Sequence, residues 1–285
     1  MKTITEILFE RRSVRRYERR PVEAEKLDFI YRAIQNTSTS YNGQQFSVVA
    51  VTDQAIKEEL YKIIGQKQVK TSAVFFVFCT DFHQLHIAGE AKGIVYPDFE
   101  EKIDGFTVGV IDAAMAMQNA MVACEALGLG CCAIGYVRTA DPKRVSQILG
   151  LPEGVAIVCG LSVGHPNEEP DLKPKRPVSL AVHENHYRPR GELVPELIEY
   201  DAAIERFNET RNGTTTDNDW VGHILDYHRE AKKHDLTGYL NSQGFLDASP
   251  HGKSYSKVPQ ENTVFLRYFL INKRAAITGQ KRSRG

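Results

Sequence analysis

The residues alone predict a fold of alternating strands and helices built on a parallel, doubly wound sheet, and three observations lead there. Four short runs, Phe46–Val51, Ala73–Cys79, Cys132–Val137 and Val155–Val163, are apolar and rich in β-branched residues, as buried strands are. Segments with helical spacing separate them, which is the pattern of strand–helix–strand units. One of these segments, Thr107–Leu127, is apolar on nearly every side and reads as the central helix of the core.

The elements follow in order. Thr3 with Glu6 forms the signature of a capping box, and Ile4, Ile7 and Leu8 give the first short helix an apolar face. This helix runs into Arg11-Arg12-Ser13-Val14-Arg15-Arg16-Tyr17, four arginines and a serine within seven residues. Arginine is always charged and presents a fixed fork of donors, so such a cluster suits a phosphate or another delocalised anion. Pro21 restarts the chain, and Leu27, Ile30, Tyr31 and Ile34 repeat at helical spacing. Asn36 to Gln45 is polar and loop-like. Gln54–Ile64 reads as a helix closed by Gly65.

His83 to Phe106 reads as irregular, partly helical, and suited to a mobile flap. Gly128 and Gly130 end the central helix, Asp141 with Pro142 opens another, and Gly150 closes it. The stretch His165 to Pro177 is rich in proline and charge and reads as an ordered loop. Leu193–Asn208 and Trp220–Leu240 read as helices, with a polar break from Asn212 to Asp217 between them. From Leu246 onward lysine and arginine dominate and periodicity fades. Residues 1–245 are therefore expected to form one domain, and 246–285 a basic, disordered extension.

Composition narrows the function. The chain is 42% hydrophobic and 25% charged with a formal net charge of +0, so nothing overall steers it to nucleic acid or to an acidic membrane. Asp112, Gln118, Asn119 and Glu125 interrupt the long apolar stretch, which argues for a buried helix over a membrane span. No export signal is read at the N-terminus, and the five cysteines include no Cys-x-x-Cys pair. Reduced, mostly buried thiols and a cytoplasmic location are the expectation.

Several motifs lack the context their chemistry requires. Gly160-Leu161-Ser162-Val163-Gly164 has the spacing of a nucleophile elbow, but a loop follows it where a helix must begin. Gly128-Leu129-Gly130-Cys131-Cys132-Ala133 has dinucleotide-type spacing with helix and strand in the reverse order, so its glycines read as a helix end and a close-packing site. His83 with His86, and His183 with His186, lack a third metal ligand of convincing geometry.

Three segments remain that stability does not explain: the arginine cluster, the polar loop Thr37–Gln45, and Leu172-Lys173-Pro174-Lys175-Arg176-Pro177. The last carries three cations on a proline-stiffened loop, which lowers the entropy lost on closing around a ligand. Together with Arg12-Ser13-Val14-Arg15, Ser40-Tyr41-Asn42-Gly43-Gln44-Gln45, Gly65-Gln66-Lys67-Gln68, Glu125-Ala126-Leu127-Gly128-Leu129-Gly130, Ala133-Ile134-Gly135, Gly160 to Pro166 and His183-Glu184-Asn185, they make the sequence resemble the nitroreductase superfamily. Within it the likeness is to the NADPH-dependent flavin oxidoreductase and oxygen-insensitive nitroreductase group, over about Ile4 to Phe245.

This resemblance implies a different fold: α+β, with a central, mostly antiparallel sheet around a long core helix, in an intertwined homodimer. It implies FMN as cofactor, NADPH and possibly NADH as co-substrate, and ping-pong reduction of small-molecule acceptors such as flavins, nitroaromatics or quinones. By position, Arg11, Arg12, Ser13 and Arg15 would contact FMN, Arg12 at the phosphate and Arg15 near the pyrimidine edge. Thr39, Ser40 and Gln44 would approach the ribityl chain or ring, and Gln66, Lys67 and Gln68 the ring edge. Ala133, Ile134, Gly135 and Tyr136 would pass over the ring, Lys173 and Lys175 would complete the phosphate grip with Arg176 nearby, and Arg211 would meet the donor's 2′-phosphate. No side chain is expected to act as a nucleophile. Arg15 and Lys67 would give electrostatic support. Position 11 is often histidine in this group and is arginine here, and a second arginine after Arg211 is missing, so both donors are expected to serve. The other functional class consistent with these residues is a non-catalytic flavin- or nucleotide-binding protein.

Overall fold

The structure is a computed structural model and describes residues 2–212, 216 and 218–246. All but Leu246 of the extension expected over 246–285, and most of the polar break before Trp220, therefore lie outside the described residues. Helices α1 (Ile4–Phe9) and α2 (Ala24–Gln35) precede β1 (Phe46–Val51), α3 (Gln54–Ile64), α4 (Lys67–Thr71) and β2 (Val74–Asp81). Next come α5 (His83–Lys92), α6 (Ile103–Ala126), β3 (Gly130–Ile134), α7 (Pro142–Leu149) and β4 (Val155–Gly164). Helices α8 (Val178–Ala181), α9 (Arg190–Thr210), α10 (Trp220–Ala231) and α11 (Leu236–Ser242) complete the described chain.

The four strands form one sheet in the order β1-β2-β4-β3, and every pair is antiparallel. The α+β architecture implied by the resemblance is thus present, and the parallel sheet predicted from periodicity is corrected. The cause lies in β2. Val74, Phe76 and Phe78 join a core with Ile30, Ile34, Ala113, Ala116 and Ala120, while Phe75, Val77 and Cys79 join another with Leu60, Ile64, Val145 and Tyr239. Helices cover both faces, so β2 reads as a continuous apolar run, a pattern typical of parallel strands. Burial on two faces was legible; strand direction was not.

Helix α6 lies against the sheet along its Ala113–Ala116–Ala120 stripe. Gly109 sets the approach, since a Cβ there would sit 1.9 Å from Thr80 Oγ1. It is a helix long and apolar enough to cross a membrane, yet one side is packed in the protein core and its Asp112 is fully buried. Ile111 and Met115 on its other side are 47% and 40% exposed. The helix begins at Ile103, within the stretch expected to be irregular, and α5 takes up another part of it. His86 ties that stretch together, pairing with the buried Glu100 at 2.7 Å and packing on Tyr96. The carboxylate holds the imidazole's pKa above its ordinary value.

Two boundaries also differ. β3 starts earlier than expected, and a 3-10 turn over Gly135–Arg138 replaces its predicted end. The last predicted helix is two, because Asp235 caps a new one by accepting from Gly238 N at 2.8 Å. Phe245 is wholly buried against Phe82 and Phe106, so the folded unit includes it. Cys79, Cys124, Cys131 and Cys132 are buried free thiols.

Candidate functional site

The arginine cluster is organised by its two apolar residues. Val14 and Tyr17 point inward at 7% and 6% exposure, Arg15 and Arg16 between them are exposed, and Arg11 and Arg12 before them are half-buried. Val14 N donates to Cys131 O at 3.0 Å, so the segment runs beside β3 as a short parallel bridge. Gly130 makes room for it: a Cβ there would meet the Val14 side chain at 2.8 Å. The Tyr17 hydroxyl donates to Val14 O at 2.6 Å and contacts Ser162 Oγ at 2.9 Å. Farther on, Glu18 N donates to His165 O and Asn167 N to Arg16 O. The cations therefore project from backbone sewn to the sheet, not from a frayed helix end.

Opposite stands the proline-rich loop. Glu168 Oε1 accepts from Arg15 N at 2.5 Å and Arg16 N at 3.1 Å. Asp171 accepts from Asn212 N and Nδ2 at 2.6 and 2.7 Å, which tethers the end of α9 to this loop. Between these segments lies a cavity of about 610 Å³. Arg11, Arg12, Ser13, Arg15, Lys173, Lys175 and Arg211 all line it, so the structure gathers the predicted phosphate grip and the predicted donor residue in one place. Sequence reasoning missed Arg16, Glu168, Glu169 and Asp171, which line it too. The three carboxylates do not balance the seven cations named.

The electrostatics favour an anion. Arg12 Nη1 donates to Glu169 Oε1 at 2.9 Å, but Glu169 is 85% exposed at its side chain, so this pair holds little energy. Arg12 Nε and Arg11 Nη1 are buried and have no hydrogen-bond partner among the described residues. Buried donors left unmade cost about 1–3 kcal/mol each, and a ligand oxygen would recover that. Desolvation, then Arg211, Arg15 and Lys175, press the Lys173 ammonium below its usual pKa. Arg176 instead lies over the Trp220 ring at 5.9 Å and is not in the lining.

The remaining predicted residues sit elsewhere. Lys67 lines a second cavity of about 800 Å³, shared with Arg15 and Arg16. Gln66 and Gln68 hydrogen-bond each other at 3.0 Å at the start of α4. Ala133 and Ile134 end β3, with Gly135 and Tyr136 in the following turn, and none of them lines either cavity. Thr39, Ser40 and Gln44 belong to a loop held by Asp112, whose two oxygens accept from Ser40 N at 3.0 Å and Gln45 N at 3.1 Å. Tyr41, Asn42 and Gln44 have left-handed backbone there, φ 56, 54 and 53, a conformation that costs energy outside glycine. A single chain does not bring this loop into the arginine cavity.

The discounted motifs have structural roles. Ser162 is fully buried inside β4, bonded to Tyr17 and to Cys132 O, and offers no exposed nucleophile. His183 stacks on Tyr187 at 4.2 Å, and its Nδ1 accepts from Arg188 N.

An antiparallel sheet sandwiched by helices, with an arginine-rich segment and a basic loop facing each other across a cleft, defines an α+β protein with a positively charged cavity. Residues 8–165 match the nitroreductase family and residues 173–247 its C-terminal domain; the chain belongs to the nitroreductase family. It is 36% identical to the oxygen-insensitive NADPH nitroreductase of Salmonella typhimurium over 248 residues, 86% of this chain and 99% of the relative. It is 33% identical to an FMN reductase [NAD(P)H] of Bacillus subtilis, covering 86% and 98%. Among solved structures, a nitroreductase from B. subtilis superposes with a TM-score of 0.81 at 32% identity, covering 85% of this chain and 98% of that one.

Proposed function

We propose that this chain is an FMN-dependent NAD(P)H oxidoreductase that reduces flavins, nitroaromatics or quinones in two half-reactions at one site. The observation that carries this reading is the buried, acceptor-less face of Arg11 and Arg12 within a cavity of surplus positive charge, on a nitroreductase fold. Residues of that chemistry suit a phosphate monoester. Relatives named FMN reductase and NADPH nitroreductase support the cofactor and the donor.

Arg12, Lys173 and Lys175 would hold the FMN phosphate, and Ser13 adds a hydroxyl beside them. When bound, FMN supplies the hydride chemistry, accepting two electrons from the nicotinamide donor and passing them to the acceptor. Arg15 stands between the two cavities and Lys67 lines the second, so both place positive charge where the ring's polar edge would lie. Arg211 lines the same cavity, close enough to act on Lys173, and would meet the phosphate that distinguishes NADPH. No nucleophile or general base is required.

The working unit we propose is a homodimer, acting in the cytoplasm. Helix α6 is apolar on nearly every side but covered on one side only, and Ile111 and Met115 stand on the open side. A second copy is the natural cover for such a face. It would also deliver the strained Thr39–Gln44 loop to the site that one chain leaves incomplete. The test is an anaerobic titration of the purified protein with NADPH. A yellow protein that bleaches stoichiometrically and regains colour with a nitroaromatic supports the reading. A flavin-loaded protein that neither donor reduces would make it a non-catalytic binding protein.

A further inference from the structure

The second cavity carries more charge than the Arg15 and Lys67 that the flavin reading uses. It opens between the arginine segment and α3–α4, and among the described residues Glu18 and Glu58 are the carboxylates in its lining. Three of its cations have partners: Arg16 pairs with Glu168, Arg20 with Glu18 and Glu23, and Lys70 with Glu58. Arg19, Lys57 and Lys67 also line it, and among the described residues no carboxylate pairs with them.

Lys57 is the informative one. It is 4% exposed, and its Nζ donates to Ser72 O at 2.6 Å and Ala73 O at 3.4 Å. Two carbonyls accept from its three N–H groups, and no carboxylate among the described residues pairs directly with its charge. Burial lowers its pKa, with Asp53 and Glu58 acting the other way. A buried cation without a counter-charge is costly and gains most when an anion enters beside it. Neither Lys57 nor Arg19 has a part in holding FMN, so that role does not account for them.

We propose that this cavity is a second anion site, in which a tetrahedral oxyanion sits among Arg19, Lys57 and Lys67. A guanidinium fork and two ammonium groups match the several acceptor oxygens of such a group. At about 800 Å³ the cavity admits more than one phosphate. Two sources present this chemistry: a free inorganic oxyanion, or the pyrophosphate of the nicotinamide donor. Because Arg15 and Arg16 line both cavities, the anion would lie next to the proposed flavin site in either case.

The probe is inorganic pyrophosphate, titrated calorimetrically into the FMN-saturated full chain at constant ionic strength. One saturable site is expected. Arg19→Gln, an exposed position, should weaken it roughly three- to tenfold, the value of one partly solvated charge-assisted contact. Arg12→Ala should leave it unchanged, because Arg12 lines the first cavity alone. FMN binding is followed separately by absorbance, so failure of the flavin reading and failure of this one are distinguishable. If the donor is the source, Arg19→Gln raises KM for NADPH and NADH alike, and pyrophosphate competes with both. If a free oxyanion is the source, both KM values stay and pyrophosphate does not compete. Absence of saturable binding, an affinity unchanged by Arg19→Gln, or binding lost with Arg12→Ala at saturating FMN overturns the proposal.

Discussion

The arginine strand and the end of α9 contribute cations to the same cavity, but they are built differently. Arg12 projects from backbone that is bonded to β3, anchored by two inward side chains and clamped by Glu168. Its Nε is already stripped of water. Arg211 stands just past the last turn of α9, and what ties that turn to the loop is the Asp171–Asn212 contact near the surface. A resident cofactor rewards preorganisation, because a grip that is fixed and dehydrated before binding loses little entropy on binding. A co-substrate that must leave in every cycle is better served by an exposed, weaker contact. The contrast supports the proposal that the arginine segment holds the cofactor and the helix end meets the donor.

Arg12→Ala breaks the rigid side most directly. The loss of a charge-assisted contact is worth roughly 1.5–3 kcal/mol, so FMN affinity should fall at least tenfold in a flavin fluorescence titration. Unchanged affinity would remove Arg12 from the phosphate grip. Gly130→Ala attacks the same side through packing, because the added Cβ would press on Val14. About 1–3 kcal/mol of stability should be lost in a denaturant melt, and FMN should bind more weakly although no contacting residue is altered. A variant that loses stability but keeps its flavin affinity would show that the strand's register does not govern the grip.

Arg211→Ala tests the soft side. A single partly exposed contact is worth on the order of 1–2 kcal/mol, which predicts roughly tenfold lower kcat/KM with NADPH. NADH should be nearly unaffected, and the difference should shrink as salt rises. An equal loss with both donors would reassign Arg211 to folding or to the nicotinamide end. The smallest effect belongs to the chain's end. Truncation after Leu246 keeps Phe245 in its pocket and should leave FMN content, turnover and the gel-filtration dimer unchanged. A monomer or a colourless product would show that the residues beyond belong to the folded unit.

By itself the sequence determined the positions of the elements. β1 and α3 lie where the periodicity puts them, and α6 declares its burial by composition, because these signals are local and repeat over several residues. The resemblance supplied the family and the fold, through short motifs whose order and spacing the residue-by-residue reading could not interpret. What only the tertiary structure decided is strand direction and adjacency. A two-sided core produces the same apolar run in β2 whichever way its neighbours point. The gathering of Arg12 with Lys173, about 160 residues apart in the chain, was inferred from charge but made by the Val14–Cys131 bridge and the Glu168 clamp. Neither leaves a local sequence signal. The buried Lys57 reads in the sequence as one more polar position on α3; only packing reveals that its charge is buried against carbonyls, with no carboxylate paired to it among the described residues.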